Sequence, residues 1–223
     1  MTMPSLINLP NGPKIRPTFS LEEMTQRLER LRTIMQQQDV DAVVLTSIQN
    51  INYFGDFLYC SFGRSYALVG AQEGSTLITT NIDGGQGYRR SIGENLIYTD
   101  WQRDNFFRAV REAVPMRARS IGIEFDHVSL ENKVKFEAAL EGCRFIDIAP
   151  STMGMRMVKS QEEIDLIKTG AAVADIGGQA CVDAIAEGVP EFEVAIASTN
   201  AMTREIAKRL PHTELRDTWT WFQ

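Results

Sequence analysis

The sequence predicts an α/β fold, in which helices cover a mixed β-sheet and a further unit follows. Short apolar segments alternate with amphipathic helical segments between residues 20 and 148. One pair of strands is joined by a short glycine-containing turn, which adds antiparallel pairing to a strand–helix–strand pattern. Near residue 157 the strands stop, and two long helical segments follow.

The composition is typical of a globular protein that can bury a core. Of the 223 residues, 43% are hydrophobic and 23% are charged. The net charge of −6 disfavours nucleic acids and anionic membranes as partners, because both attract a concentrated basic face. We expect no signal peptide and no membrane span, since no apolar run has the required length. The cysteines Cys60, Cys143 and Cys181 are odd in number and widely spaced, which indicates free thiols and a cytoplasmic location.

The first elements are an arm and a helix. Residues 1–18 are rich in proline and have no clear period, so an extended arm is expected. Ser20 and Glu23 then have the spacing of a capping box. Helical spacing predicts one apolar face, formed by Leu21, Met24, Leu28, Leu31 and Met35.

Strands and helices then alternate. Residues 40–46 are apolar and β-branched, as in a buried strand, and a short helix or turn is expected at 47–55. The segments SYALVG and TLITT flank AQEGS and predict a hairpin, after which DGGQGYRRSIG forms a helix or loop. Further strands are expected at 95–99, 120–125 and 144–148, and helices at 103–114 and 129–142.

The last part of the chain has a different pattern. A second capping box, at Ser160 and Glu163, predicts a helix that runs to about residue 187, and another helix is expected at 191–210. Trp219 and Trp221 alternate with polar residues, as in a strand.

Two helices and one strand have no sheet of their own to cover, and a lone strand cannot satisfy its backbone groups. We therefore expect one domain at residues 1–157 and the incomplete start of a second at 158–223.

Two polar stretches have a simple structural explanation beside a functional one. DGGQGYRR (83–90) could bind phosphate through backbone N–H groups and its two arginines, but it lacks the spacing of known phosphate loops, so a turn into a helix is favoured. EFDH (124–127) offers Glu124, Asp126 and His127 to a metal, but further ligands would be required. A strand exit leading to a helix capped at Ser129 is therefore favoured.

The stretch YCSFGRSY (59–66) leaves its alternatives open. The planar fork of Arg64 suits a carboxylate, and Phe62 could form the wall of a small-substrate site. A solvated arginine in a loop is nevertheless the commoner case. Cys60 could be a nucleophile beside that arginine, although a buried structural thiol is more frequent.

Seven stretches match those of a known family: INYFGDFLYCSFGRSYALV, NIDGGQGYRRSIG, YTDWQRDNF, IGIEFDHV, ADIGGQACVDAI, GVPEFEVAIASTNAM and DTWTWFQ. With them the chain resembles, over nearly its whole length, the creatinases, which belong to the wider class of creatinase/prolidase "pita-bread" enzymes. The resemblance implies a three-layer, mixed-sheet creatinase/prolidase N-terminal domain at 1–157. Residues 158–223 then resemble the truncated start, two helices and a strand, of an α+β pita-bread catalytic domain.

The resemblance also implies a reaction. The family hydrolyses creatine to sarcosine and urea, with a histidine as general base and acid and with glutamates that hold the guanidinium group. It uses no metal and no other cofactor. The catalytic histidine follows the segment that matches DTWTWFQ, and neither His127 nor His212 matches it. No catalytic residue is therefore expected in this chain, which should be inactive alone.

The partners implied are a small-molecule substrate, creatine, and a second copy of the chain, with no nucleic acid and no membrane. In the family's homodimer the N-terminal domain of one subunit completes the pocket of the other. Phe62 and Arg64 match that contribution, so Arg64 would pair with the carboxylate of creatine and Phe62 would pack against the substrate. The alternatives are a related pita-bread hydrolase, of the Xaa-Pro peptidase or ectoine hydrolase type, and a non-catalytic interaction module.

Overall fold

The computed structural model describes residues 4–58 and 63–213. The chain divides into two compact units, one that ends at Val158 and one that begins at Lys159, and each is described by itself. The assignment of the second unit to the start of a pita-bread domain stays a prediction.

A β-sheet forms the centre of the first unit. Within the described residues it has seven strands: β1 (Leu6–Ile7), β2 (Ala42–Leu45), β3 (Ala67–Ala71), β4 (Gly74–Thr80), β5 (Glu94–Tyr98), β6 (Ser120–Ile123) and β7 (Arg144–Asp147). Their order is β1-β5-β4-β3-β2-β6-β7. The β1–β5, β2–β3 and β3–β4 pairs are antiparallel, and the remaining pairs are parallel. The sheet is mixed, which confirms the predicted α/β class, and β3–β4 is the predicted hairpin.

Helices cover both faces of this sheet. Those of the first unit are α1 (Leu21–Gln37), α2 (Ile48–Gly55), α3 (Gln86–Arg90), α4 (Asn105–Ala113), α5 (Leu130–Ala139) and α6 (Ala149–Met157). Successive side chains of a strand point to opposite faces. In β2, Ala42 and Val44 join a core with α4 and α5, while Val43 and Leu45 join a second core with α1, α2 and α6. Two cores, one on each face, make the three layers that were predicted.

Helix α1 begins as predicted, but its buried face differs from the prediction. Leu21 is 66% exposed, whereas Arg27, which was not assigned to the core, is 1% exposed. The Arg27 guanidinium lies 4.2 Å from the ring centroids of both Phe19 and Tyr53, and its Nε donates to Glu23 at 2.7 Å. Helical spacing alone misses such a residue, because its burial depends on an ion pair and on aromatic rings beyond the helix.

One strand and one α-helix were not predicted from the sequence. Strand β1 lies within the arm and pairs only Leu6 and Ile7 with β5, which is too short to show a period. Helix α6 contains Pro150 in its first turn, where a missing N–H is tolerated, and it buries Met155 in the core.

The arm is held to α3 and to the segment that follows it. The Lys14 ammonium donates to the carbonyl oxygens of Tyr88, Ser91 and Gly93 at 2.9, 2.8 and 2.8 Å. Three carbonyl acceptors match the three N–H donors of an ammonium group. Desolvation lowers the pKa of Lys14, although the charge of Glu94 opposes this effect.

Asp41 joins the loop before β2 to the start of β6. Its Oδ2 accepts hydrogen bonds from the Arg119 N–H at 2.7 Å, the Ser120 N–H at 2.9 Å and the Ser120 hydroxyl at 3.0 Å. These bonds favour the charged carboxylate and hold the pKa of Asp41 below its usual value, and the Arg119 N–H has the largest effect.

The second unit contains α7 (Gln161–Ala184) and α8 (Glu191–Arg209), which pack against each other. The predicted capping box of α7 is present, since Ser160 and Glu163 each accept a hydrogen bond from the backbone N–H of the other, at 3.2 and 3.0 Å. At Gly177 the helices come so close that a Cβ would lie 2.7 Å from the side chain of Met202. None of the helices in the described ranges is long and apolar enough to cross a bilayer. The strand predicted around residues 219–221 lies outside those ranges.

Candidate functional site

Arg64 lies at one edge of the sheet, where three strand ends meet. Strand β3 is antiparallel to β4, so the start of β3 lies beside the end of β4, and β5 is parallel to β4, so it ends there as well. Arg64 precedes β3 and follows Gly63, whose φ of +75° is left-handed and favours glycine. The other predicted site residue, Phe62, and the thiol of Cys60 lie outside the described residues.

Tyr98, the last residue of β5, holds the backbone next to Arg64. Its phenol donates to the Ser65 carbonyl oxygen at 3.0 Å and accepts from the Ser65 N–H at 3.2 Å. Tyr98 is 6% exposed, and its ring packs edge-on against Phe106 of α4, with the centroids 5.7 Å apart. One buried side chain thus satisfies both backbone groups of Ser65 and connects this segment to the core.

Asp100 follows β5 and faces the Arg64 guanidinium. Its Oδ2 lies 3.4 Å from Arg64 Nε, and the two side chains are 30% and 46% exposed, so the ion pair is partly solvated. The same oxygen accepts from the Thr80 hydroxyl, at the end of β4, at 3.3 Å. A guanidinium has five N–H donors in a planar fork, so a contact through Nε leaves the terminal nitrogens suited to a further carboxylate.

A second carboxylate lies behind this edge. Asp83 accepts from the Tyr66 hydroxyl at 3.3 Å. Burial raises the pKa of Asp83, the hydrogen bond from Tyr66 opposes the rise, and the nearby charge of Asp100 adds to it. Burial also raises the pKa of Tyr98, and the charge of Asp100 contributes to this rise too. The neutral phenol is therefore favoured, which keeps its proton available to the Ser65 carbonyl.

Arg64, Ser65, Tyr98 and Asp100 line a cavity of about 230 Å³, together with Arg103, Asn132 and Lys135. The Lys135 ammonium is paired with Glu131 at 2.9 Å and with Asp104 at 3.2 Å. These partners, with Glu131 first, raise the pKa of Lys135. The cavity is small and mainly polar, and its lining includes three cations and the carboxylates of Asp100 and Asp104, so it suits a small polar group better than a large apolar ligand.

The glycine-rich stretch DGGQGYRR forms the turn into α3 that was favoured from the sequence. Gly84 and Gly85 have φ values of +55° and +84°, which are left-handed. A Cβ on Gly85 would lie 2.4 Å from the carbonyl oxygen of Leu9, and Asn11 donates to the Gly84 carbonyl at 2.8 Å. The two glycines are thus explained by a turn and by the close approach of the arm.

The contacts of Glu124, in the EFDH stretch, indicate a structural role. It is 2% exposed and accepts hydrogen bonds at the N-terminus of α2, from the N–H groups of Thr46 and Ser47, the Ser47 hydroxyl and the Asn50 amide. His127 contacts the Thr46 hydroxyl at 2.9 Å. Across residues 4–58 and 63–213, no three His, Cys, Asp or Glu side chains are grouped so that they could hold a metal ion.

The sequence alone predicts no role for Tyr98 and Asp100. Both lie in the stretch YTDW (98–101), and Tyr98 is 33 residues from its partner Ser65. Their position became evident only from the strand order, since no local pattern shows which strand ends share an edge.

Comparisons with known proteins place these features in a family. Residues 27–158 match the creatinase/prolidase N-terminal domain. Creatinase from Bacillus sp. (strain B-0618) is 54% identical over 215 residues, which are 95% of this chain and 52% of that protein. The Xaa-Pro dipeptidase of Pyrococcus horikoshii is 25% identical over 178 residues, 78% of this chain and 47% of that protein. The chain spans about half the length of the curated relatives that it matches.

Solved structures show the same fold. The X-Pro aminopeptidase from Thermotoga maritima MSB8 has a TM-score of 0.70 at 23% identity, over 80% of this chain and 49% of that one. The prolidase from Pyrococcus horikoshii OT3 has a TM-score of 0.63 at 21% identity, over 80% of this chain and 48% of that one. At these identities the likeness concerns the fold alone.

Proposed function

The chain belongs to the creatinase/prolidase family, and on this basis we propose that it is the N-terminal part of a creatinase, which hydrolyses creatine to sarcosine and urea. The observation that carries the proposal is the 54% identity to the Bacillus creatinase over 95% of the chain. Xaa-Pro dipeptidases from two Pyrococcus species reach 25% and 26%. This difference favours a creatinase over a peptidase.

Within this proposal, Arg64 binds the carboxylate of creatine and Phe62 forms a wall of the substrate site. Creatine carries a guanidinium and a carboxylate, so its site needs anionic groups at one end and a cation at the other. The Arg64 side chain is 46% exposed and is paired through Nε, so it can reach a ligand beyond its own unit. An arginine that is already ordered loses less conformational freedom when it binds.

The other half of the site belongs to a catalytic domain that begins in residues 158–223. Its histidine and the carboxylates that hold the guanidinium are expected in the half of the related creatinase that this chain does not span, so we assign no catalytic residue to this chain. We propose a cytoplasmic homodimer in which Phe62 and Arg64 enter the pocket of the partner subunit, with neither a metal nor another cofactor. Such an arrangement would make activity depend on dimerisation.

The direct test is an assay of the full-length protein that carries this segment, with creatine as substrate and with urea and sarcosine measured. We expect equimolar release of both products, and no release above background from the 223-residue chain alone. A full-length protein that cleaves Xaa-Pro dipeptides with added divalent cations, and leaves creatine intact, would support a peptidase instead.

The role of Arg64 is tested by Arg64→Ala in the full-length protein. Loss of a charge-assisted hydrogen-bond pair, about 1.5–3 kcal/mol, corresponds to a rise in KM for creatine of about 10- to 100-fold, with a smaller change in kcat. Arg117→Ala is a matched control, because Arg117 is an exposed arginine on the same unit. An unchanged KM in Arg64→Ala would make Arg64 an ordinary surface charge.

A further inference from the structure

We propose that Asp100 and Tyr98 are positioning residues for Arg64, which orient its guanidinium toward the substrate carboxylate. This inference rests on the proposed function and deepens it, since it adds two residues from a different strand to the site. Two contacts from the end of β5 carry this inference. Asp100 contacts the side chain of Arg64, and Tyr98 contacts the backbone of Ser65.

The backbone contact fixes where the side chain of Arg64 starts. The Tyr98 phenol bonds both the N–H and the carbonyl oxygen of Ser65, which restrains the peptide groups on either side of that residue. Because the Tyr98 ring is buried against Phe106, the phenol itself has little freedom to move. Gly63, with its left-handed φ, lies on the other side of Arg64 and sets the direction of the chain there.

The side-chain contact determines the position of the Arg64 guanidinium. Asp100 Oδ2 lies 3.4 Å from Arg64 Nε and accepts a hydrogen bond from the Thr80 hydroxyl at 3.3 Å. An acid on Nε restricts the torsions of the long arginine stem and directs the terminal nitrogens away from the acid. Those nitrogens form the edge of the guanidinium that binds a carboxylate with two parallel hydrogen bonds.

Removal of Asp100 has two opposite effects on the binding of an anion. It raises the net positive charge at the edge, which favours the anion, and it frees the arginine side chain, which disfavours binding. Because the pair is partly exposed to water, the charge effect is screened. Water and salt do not reduce the cost of ordering a freed arginine side chain, so we expect this cost to dominate and anion binding to weaken.

The test uses the full-length protein with Asp100→Ala, Asp100→Asn and each of them combined with Arg64→Ala. We expect Asp100→Ala to raise KM for creatine by about 3- to 10-fold with kcat nearly unchanged. Asp100→Asn should recover part of this loss, because its side-chain oxygen can still contact Nε. Asp126→Ala is the control, since Asp126 is an exposed acid elsewhere on the unit.

The double variants separate positioning from a general structural effect. In the Arg64→Ala background, Asp100→Ala should change KM no further, because no guanidinium is left to orient. Tyr98→Phe keeps the ring and loses only the phenol, and it should also raise KM. An equal effect of Asp100→Ala with and without Arg64, or no effect of Asp100→Ala in the wild-type background, would refute the inference.

A second measurement keeps this inference distinct from the proposed function. In the 15N-labelled 223-residue chain, 15N relaxation of the Arg64 Nε–H group should show restricted motion of the side chain. This restriction should be lost in Asp100→Ala and kept in part in Asp100→Asn. If the full-length protein does not hydrolyse creatine, the proposed function is refuted, while this signal still shows whether Asp100 restrains the Arg64 side chain. If the Asp100→Ala signal equals that of the wild type, the positioning role fails whatever the activity.

Discussion

Replacing Glu124 with alanine should strongly destabilise the first unit, because this carboxylate joins the end of β6 to the start of α2. Glu124 is 2% exposed and accepts hydrogen bonds from two backbone N–H groups, a serine hydroxyl and an asparagine amide. The N-terminus of α2 adds the partial positive charge of a helix dipole, which attracts the carboxylate oxygens. Replacement by alanine removes the acceptor of these four bonds and of a longer one from the Thr46 hydroxyl at 3.4 Å.

The expected loss follows from these contacts. A hydrogen bond to a charged group contributes about 1.5–3 kcal/mol, but several bonds to one carboxylate do not add, since burial of a charge costs several kcal/mol. Removing it leaves buried donors without their acceptor, so we expect Glu124→Ala to cost about 3–5 kcal/mol, the range for breaking a buried charged interaction. That is a large part of the roughly 5–15 kcal/mol that stabilises a typical domain. Glu124→Gln keeps one carbonyl oxygen and should cost about 2–3 kcal/mol.

The assay is urea unfolding of the 223-residue chain, followed by far-UV circular dichroism and by hydrogen exchange of the amides of β2. The control is Asp126→Ala, because Asp126 is exposed and only two positions away. A surface change of this kind should stay within about 0.5 kcal/mol of the wild type. If Glu124→Ala also lies within about 1 kcal/mol of the wild type, its hydrogen bonds do not hold β6 to α2 as argued.

Two adjacent glycines test the packing of α7 on α8. Gly177→Ala should cost about 1–2 kcal/mol because its Cβ would lie 2.7 Å from Met202, whereas Gly178→Ala, which has open space, should stabilise the helix by about 0.5–1 kcal/mol. Opposite shifts in Tm are expected, and equal shifts would contradict the close approach. Asp41→Asn should reduce stability at pH 7. Because the pKa of Asp41 is lowered by folding, its contribution is complete above the unfolded pKa of about 4 and is lost as the pH falls through the folded pKa. The urea midpoints of wild type and Asp41→Asn should therefore converge between pH 5 and roughly pH 2, while a constant difference over this range would refute the assignment.

Elements with strong local signals could be predicted from the sequence. The capping serines, the glycine-containing hairpin and the apolar strands are determined within a few residues, and the structure contains all of them. Strand β1 exists because the arm runs beside β5, and two residues alone cannot show this. Helix α6 contains a proline, a serine and a glycine, so its local pattern resembles a loop, and its buried contacts with the sheet stabilise it.

The candidate site could be predicted from the sequence less well than the fold. The local pattern around Arg64 ranked a solvated charge above an anion site, and only the family resemblance reversed that order. Asp100 and Tyr98 could not be found from one sequence, because their proximity depends on three strand ends meeting at one edge. Strand order follows from packing across the whole sheet, and neither propensity nor periodicity records it.

Stability alone does not explain the pair of Arg64 and Asp100. The side chains are 46% and 30% exposed, and such a pair contributes about 0–1 kcal/mol to folding. Two unit charges at about 4 Å in water attract each other by about 1 kcal/mol, whereas a free arginine side chain carries about 2 kcal/mol of rotamer entropy. The acid thus affects the orientation of the guanidinium more than it affects the fold or the local charge. Tyr98, in contrast, is 6% exposed and fixes the backbone from within the core. The rigid backbone therefore carries a guanidinium that is solvated but oriented. This arrangement suits an arginine that must exchange water for the carboxylate of a substrate.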